Sequence, residues 1–494
     1  MVAFFLGLAI FLGVIYSRLL FWDSGNLIAG WITVWGDWAV HLAYANSFLY
    51  NFRFPPVMPI FSDTPMIYPP FPDLLAAILM KFGLDITLAF NLTGFIYSLL
   101  AIIFLYRLIL KISGSSKIAL LTVFLYLNSG GLGFVYLFTS QKISELTRAF
   151  DLGIYWTSTL TSLLIPQRNL ALGLALVFFS WEQILIFSKT NKIIHVFISV
   201  AAISLLAFTH VHSYIIAIIA FVLISMKCKY QRPLLFGLLL FSALAGILSY
   251  YGLYSSVNTS QFFRFSPGWM ERDLVKFPIF AIKNYGLTLI LGLLGLFIVP
   301  ENIRRTSLCL LLLFVAGHLF IFQPWDWDNT KVLTYGWVGI SLSAAYIFTR
   351  LPKIFAIILL ILATFSGFYD NLSLLNVSKN RIILSSDAEV RAADFIKKNT
   401  PGNAVFITSD RHNHPVSMLA GRQTMMGFPG WLWSYGINIA SRQADLEAFK
   451  AGDLTAISKY NVSYIYLDNS EKPLPLPFSQ IYNQDGISIL RVLP

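Results

Sequence analysis

Long apolar runs separated by polar turns fill the first three quarters of the chain. Runs of spanning length lie at 2–21, 85–110, 117–138, 169–188, 193–209, 213–226, 233–254, 284–300, 306–322, 332–349 and 353–370, which predicts about eleven transmembrane helices. The first run, Val2 to Phe21, has neither an early basic region nor a small-residue cleavage pattern, so it reads as a retained span rather than a signal peptide. Every second connection is short and basic: Arg107/Lys111/Lys117, Lys189/Lys192, Lys227/Lys229/Arg232, Arg304/Arg305 and Arg350/Lys353. The positive-inside rule puts these turns in the cytoplasm. The alternate segments 22–84, 139–168, 210–212, 255–283 and 323–331 then face outward, together with everything after 371. Arg18, near the outer end of the first run, is accommodated by snorkelling.

Beyond Asn371 the pattern shortens. Ser385 to Ile396 has a capped start followed by apolar residues at helical spacing. Ala404–Thr408, Tyr464–Leu467 and Ile487–Val492 read as short strands. The expected organisation is a membrane domain over 1–370, with outer loops 22–84, 139–168 and 255–283, and a small extracytoplasmic α/β domain over 371–494.

Composition agrees with the pattern. Hydrophobic residues make up 57% and charged residues 12%, against about 25% charged in soluble domains, which excludes a soluble globular enzyme. The fold class is therefore a polytopic α-helical membrane protein. The net charge of +11 follows from the basic turns and records orientation rather than nucleic-acid binding. Two cysteines, Cys228 and Cys309, supply neither a disulfide framework nor a four-cysteine zinc site.

A carboxylate at mid-bilayer costs about 2.5–3.5 kcal/mol on insertion scales, so the chemistry is sought at the ends of spans, and the acids gather on the outward side. The first outer loop holds Trp35-Gly36-Asp37-Trp38 and then His41. From Trp38 to Tyr50 the pattern predicts a helix lying in the interface, with Asp37 at its N-cap and His41 one turn on. Asp37 is a candidate catalytic acid or base as well as a plain cap. The second loop carries Glu145, Arg148 and Asp151, and then Arg168 at the mouth of a span. Asp151 is a second catalytic candidate, and the Arg168 guanidinium matches a phosphate, with interface anchoring as its alternative. His210 and His212, two apart in a short turn, are a weak metal signal and a better fit to ligand contact. The densest cluster runs from Gln323 to Lys331. There Asp326, Asp328 and Asn329 could hold a divalent cation (Mg2+ or Mn2+) or a sugar between Trp325 and Trp327, and Lys331 could pair with Asp328. Arg264 is a further phosphate candidate. In the tail, His412 and His414 follow a predicted strand, and Trp431 lies in an aromatic Gly-rich stretch; all three are candidate ligand contacts, docking of that stretch on the membrane part being the alternative.

Taken together, Gly36-Asp37-Trp38 to His41 just after the first span, Tyr68-Pro69-Pro70-Phe71 ahead of the second, about eleven spans and a C-terminal outer domain resemble the GT-C superfamily. Its members are integral membrane glycosyltransferases using polyprenyl-phosphate-linked sugars, among them protein O-mannosyltransferases, aminoarabinose transferases and oligosaccharyltransferases. The resemblance covers the architecture of the whole chain, and its local motifs are short. Asp37 is followed by Trp38 rather than by a second acid, and the tail has no Trp-Trp-Asp-type motif, so the likeness reaches the superfamily and not a subfamily. It implies Asp37 as base or metal ligand, a polyprenyl-phosphate sugar donor held against membrane lipid, and a protein, lipid or glycan acceptor. Arg168 and Arg264 are then expected on the leaving phosphate, with His41, His210, His212 and Lys331 beside them. A prokaryotic plasma membrane is the expected location, with the C-terminal domain outside. A transporter or flippase would instead place ionisable residues at mid-bilayer in two related halves, and a receptor or scaffold would need fewer spans.

Overall fold

The computed structural model describes residues 2–139, 144–225, 232–249, 262–468 and 478–492. The Lys227/Lys229 turn with Cys228, and residues 255–261 of the third outer loop, lie outside the described residues. The helices are α1 (Val2–Tyr16), α2 (Ile32–Tyr50), α3 (Phe71–Lys81), α4 (Ile86–Ser113), α5 (Ser116–Asn128), α6 (Arg168–Thr190), α7 (Ile194–Leu206), α8 (Val211–Ser225), α9 (Arg232–Ser249), α10 (Phe277–Ile298), α11 (Glu301–Leu319), α12 (Thr330–Arg350) and α13 (Lys353–Ser373), with shorter ones after them. Each of the eleven apolar runs thus carries a helix. Among the described residues, however, five segments are long and apolar enough to cross a bilayer: Ile86–Ser113, Arg168–Thr190, Phe277–Ile298, Asp326–Arg350 and Lys353–Ser373. A sixth is added if Ser116–Asn128 and Leu132–Phe138, bent by 54°, form one span. α7, with 13 residues, is only about 20 Å long, against a hydrocarbon core of about 30 Å.

The described contacts divide the chain into two compact units, each drawn from separated stretches. The first comprises Gly94–Ile247 and Ser260–Asn376 with the start of α1. At its centre α12 is buried along nearly all its length. Small residues let its neighbours approach: a Cβ on Gly295 of α10 would come within 2.6 Å of the Ser343 carbonyl oxygen, and one on Gly339 within 2.8 Å of that of Ser307 on α11. Close backbone contact of this kind drives helix association where lipid offers no hydrophobic gain. α13 lies at the other extreme, exposing a row that includes Ile354, Ile357, Ile358 and Ile361. Two short strands, β3 (Arg264–Phe265) and β4 (Phe320–Ile321), pair antiparallel in the same unit.

The second unit joins Ile15–Thr93 to Val377–Pro494. Its first run is helical only to Tyr16; the chain then forms a hairpin of β1 (Leu20–Asp23) and β2 (Asn26–Ala29), turned by Ser24 and Gly25, both at positive φ. β2 pairs antiparallel with β5 (Ile382–Ser385), stitching the first outer loop to the tail. The helix Asp387–Asn399 follows with the predicted capping box: Ser386 caps the Glu389 amide, and Glu389 bonds back to Ser386. The tail's sheet has the order β7-β6-β8-β10-β9, with β6 (Val405–Ile407) parallel to β7 (Gln423–Thr424) and β8 (Tyr464–Leu467), and with β9 (Ser479–Gln484) and β10 (Ile487–Arg491) antiparallel. The loop 59–62 joins this sheet through Thr424 N–H to Pro59 O at 2.8 Å and Ser62 N–H to Thr424 O at 3.0 Å.

Candidate functional site

α2 departs from expectation in two ways. It begins at Ile32 rather than Trp38, with Trp31 at the N-cap and no side-chain cap, so Asp37 lies inside the helix, in its second turn. It is also buried on most sides, from Trp38 through Phe48, instead of lying in an interface. Packing against the tail segment explains both: Asn46 donates to the Met418 carbonyl at 2.7 Å, and a helix enclosed all round needs no polar face.

Asp37 and His41, four residues apart, share one face of α2. His41 Nδ1–H donates to Asp73 Oδ2 at 2.8 Å. Asp73 is fully buried in the first turn of α3, after a Pro-rich start. The imidazole is therefore held by a carboxylate, an arrangement that fixes its tautomer and direction. Around the pair, Tyr44 and Tyr68 stack at 5.5 Å, Tyr68 meets His41 at 5.5 Å and Tyr435 of the tail at 5.3 Å. Burial, then Tyr44, then the carboxylates Asp37 and Asp73 hold the Tyr435 phenol well above its ordinary range, so it stays a hydrogen-bond donor. Asp73, Tyr44 and Tyr435 had not been singled out from the sequence. Pro at the helix start with an acid in the first turn marks Asp73 as a helix-start residue, but nothing local announces its pairing 32 residues away.

His412 and Trp431 come together with this helix. The His412 ring lies 4.1 Å from that of Trp35 and donates to the Trp35 carbonyl at 3.1 Å; Trp431 is 5.8 Å away and Phe428 6.0 Å. His414 does not join them. It is buried, caps the Val416 amide through Nδ1 at 3.3 Å and packs its ring on Tyr466 at 4.6 Å.

In the first unit, the second outer loop meets the Trp-Asp-Trp turn. Trp327 donates to the Tyr155 carbonyl at 2.8 Å and packs on Phe150 at 5.9 Å, beside the exposed Asp151. Arg264 grips the same turn, donating to the carbonyls of Gln323 at 3.0 Å and Pro324 at 3.1 Å and pairing with Asp326, which also takes Arg272 at 2.9 Å. Lys331 pairs with Asp328 at 2.9 Å. His212 donates to Phe322 O at 3.3 Å. His210 lies beside it, rings 5.4 Å apart, but points Nδ1 at Ser213 Oγ, 2.6 Å away, which in turn meets the Tyr335 hydroxyl at 2.5 Å. Arg168 opens α6 fully buried, its guanidinium over the Tyr97 ring at 5.9 Å. It is thus enclosed in packed protein rather than standing at an open mouth.

The Mg2+ or Mn2+ site expected at Asp326, Asp328 and Asn329 does not fit these residues. Asp326 is held by two guanidinium groups and Asp328 by an ammonium. Asn329 is spent on the backbone, donating to Gly317 O and Phe320 O and accepting from Phe322 N–H. Among the described residues no three His, Cys, Asp or Glu side chains gather in a group that could hold a metal ion. The turn is instead an acid–base network in which every acid is matched by a cation.

No protein-family model matches the sequence, and no curated protein matches it. Among solved structures the chain is similar to ArnT from Cupriavidus metallidurans in the apo state, at 9% identity and a TM-score of 0.55, over 99% of this chain and 97% of that one. It is also similar to the oligosaccharyltransferase of Archaeoglobus fulgidus in complex with Zn and sulfate, at 13% identity and a TM-score of 0.47, over 94% of this chain and 68% of that one. The ArnT likeness shows the fold alone: this chain is a mostly helical, multi-pass membrane protein similar along its length to that structure.

Proposed function

We propose that the protein is a membrane glycosyltransferase that moves a sugar from a polyprenyl-phosphate-linked donor to an acceptor on the extracytoplasmic side, with Asp37 as the base. The observation that carries this reading is the setting of Asp37. It lies one turn before a histidine held by a buried aspartate, beside three tyrosines, on a chain that shares the ArnT fold from end to end. In the proposed step the Asp37 carboxylate takes a proton from the acceptor, whose freed lone pair attacks the anomeric carbon. The bond from that carbon to the phosphate oxygen breaks, and the phosphate leaves with the electron pair. Asp73 keeps His41 in one orientation beside Asp37. Tyr68 and Tyr435 offer faces for a sugar ring and a hydroxyl donor for its oxygens.

Arg264 and Lys331 of the first unit are proposed, within that unit, as phosphate-binding residues. Lys331 and Arg264 are each prealigned by an aspartate, and a phosphate exchanging into such pairs gains charge-assisted hydrogen bonds. Arg168 is proposed to support that region from within the packed protein. Asp151 is kept as a second carboxylate candidate. The metal proposed from the sequence enters no step.

Mass spectrometry of lipids retained on the purified protein tests the donor class. A polyprenyl phosphate, bare or glycosylated, is expected to co-purify and to fall several-fold in Lys331→Met. Retention of phospholipid alone, unchanged in that variant, would count against this reading.

A further inference from the structure

A cavity in the second unit has a lining that includes none of Asp37, His41 and Asp73. It has a volume of about 300 Å³ and is lined by the polar Arg53, Asp63, Asn403, Gln423, Asn461 and Ser463, with Pro401, Ala404 and Val405 among them. That volume is at the small end of the range for small-molecule sites, about 300–1,000 Å³. It sits at the amino ends of the parallel strands β6, β7 and β8, where Ser463 N–H bonds Val405 O at 2.9 Å and Gln423 N–H bonds Ala404 O at 3.2 Å, so its floor is rigid. The loop 53–63 closes one side. Asp63 donates its amide to Gln423 Oε1 at 3.3 Å, and Gln423 itself is buried at 1% exposure. Asp63 and Asn461 both adopt positive φ, 55° and 52°, a backbone region that Asp and Asn tolerate better than most residues.

The lining chemistry is selective. One carboxylate and one guanidinium balance in charge, which disfavours an ion of either sign. Three amides and a hydroxyl add paired donors and acceptors, the complement of neighbouring ring hydroxyls. The mostly polar lining, with Pro401, Ala404 and Val405 as its apolar members, disfavours a lipid chain. We propose that this cavity binds one neutral sugar ring, as a carbohydrate subsite separate from the Asp37 cluster. The inference does not require the transfer reaction.

Saturation-transfer difference NMR on the full chain in lipid nanodiscs tests it, with glucose, galactose, mannose and N-acetylglucosamine as probes and glycerol and glutamate as controls. At least one sugar is expected to give saturable signal, and glycerol and glutamate none. Asp63→Asn, which keeps a side chain suited to positive φ, and Asn403→Ala, at an exposed position, should each weaken that binding about tenfold, the scale of one lost hydrogen bond to a polar or charged group. Asp37→Asn should leave it unchanged, so that failure of the transfer reading does not affect this test. The proposal is overturned if no sugar binds, if glycerol or glutamate binds equally, or if both cavity variants bind as the parent does.

Discussion

Asp73 shows what single residues contribute here and what a sequence conceals about them. A carboxylate with no exposure is tolerated only when its charge is answered, and His41 answers it at 2.8 Å. Replacing it, Asp73→Asn, should cost about 1.5–3 kcal/mol, the value of a hydrogen bond to a charged group, read as a lower thermal midpoint of the purified protein. An unchanged midpoint would mean that the pair contributes nothing to the fold. His414 makes a pH-dependent contribution of the opposite kind. Burial, then the Arg411 guanidinium, lowers its pKa well below the ordinary 6.5. The unfolded chain therefore takes up the proton first as pH falls, and stability present above about 6.5 is lost below it, by at most about 1.4 kcal/mol per pH unit. Hydrogen exchange across Val405–Thr424 should accelerate between pH 7.5 and 5.5 beyond the intrinsic chemical trend. His414→Asn, which retains a capping side chain, should flatten that dependence. At this scale residue type and position mark Asp37, His41, His412 and Trp431 as candidates, and the described contacts set His41 on Asp73 and His412 beside Trp431. Asp73 and Tyr435 carry no such mark, because what sets them apart is contact with residues distant in the chain.

Elements with local signals were legible. Ser386 and Glu389 spell a capping box, and the helix Asp387–Asn399 carries it. Ser386→Ala should lower the stability of the second unit by about 1 kcal/mol, measurable as faster exchange in that helix, and no change would show that the cap is redundant. Strands β6, β8 and β10 were likewise visible as short apolar runs between turn residues. The β1–β2 hairpin was not, although Asp23-Ser24-Gly25-Asn26 is a turn signal, because it is fused to an apolar run that reads as one long helix. The start of α2 was misplaced for a related reason. Asp37 resembles a cap, but the buried residues before it extend the helix to Ile32, and tertiary packing outweighs a capping preference.

For the whole molecule, each predicted apolar run carries a helix among the described residues, yet five of those helices, or six with the bent pair, are long and apolar enough to cross by themselves. Hydropathy could not show that the first outer loop and the tail build one compact unit, since β2–β5 pairing joins residues more than 350 positions apart. Orientation rests on the basic turns, and it predicts that the tail faces outward. An Asp453→Cys label site, in a chain with Cys228 and Cys309 changed to serine, should react with a membrane-impermeant maleimide on intact cells. Labelling only after lysis would reverse the topology. Catalysis by Asp37 is the claim on which the functional account turns, and single-turnover transfer from a radiolabelled polyprenyl-phosphate sugar measures it most directly. The account predicts that Asp37→Asn, inserted and folded as the parent, loses about 10²–10⁴-fold in rate while still retaining polyprenyl phosphate. Transfer by that variant at the parental rate would contradict it.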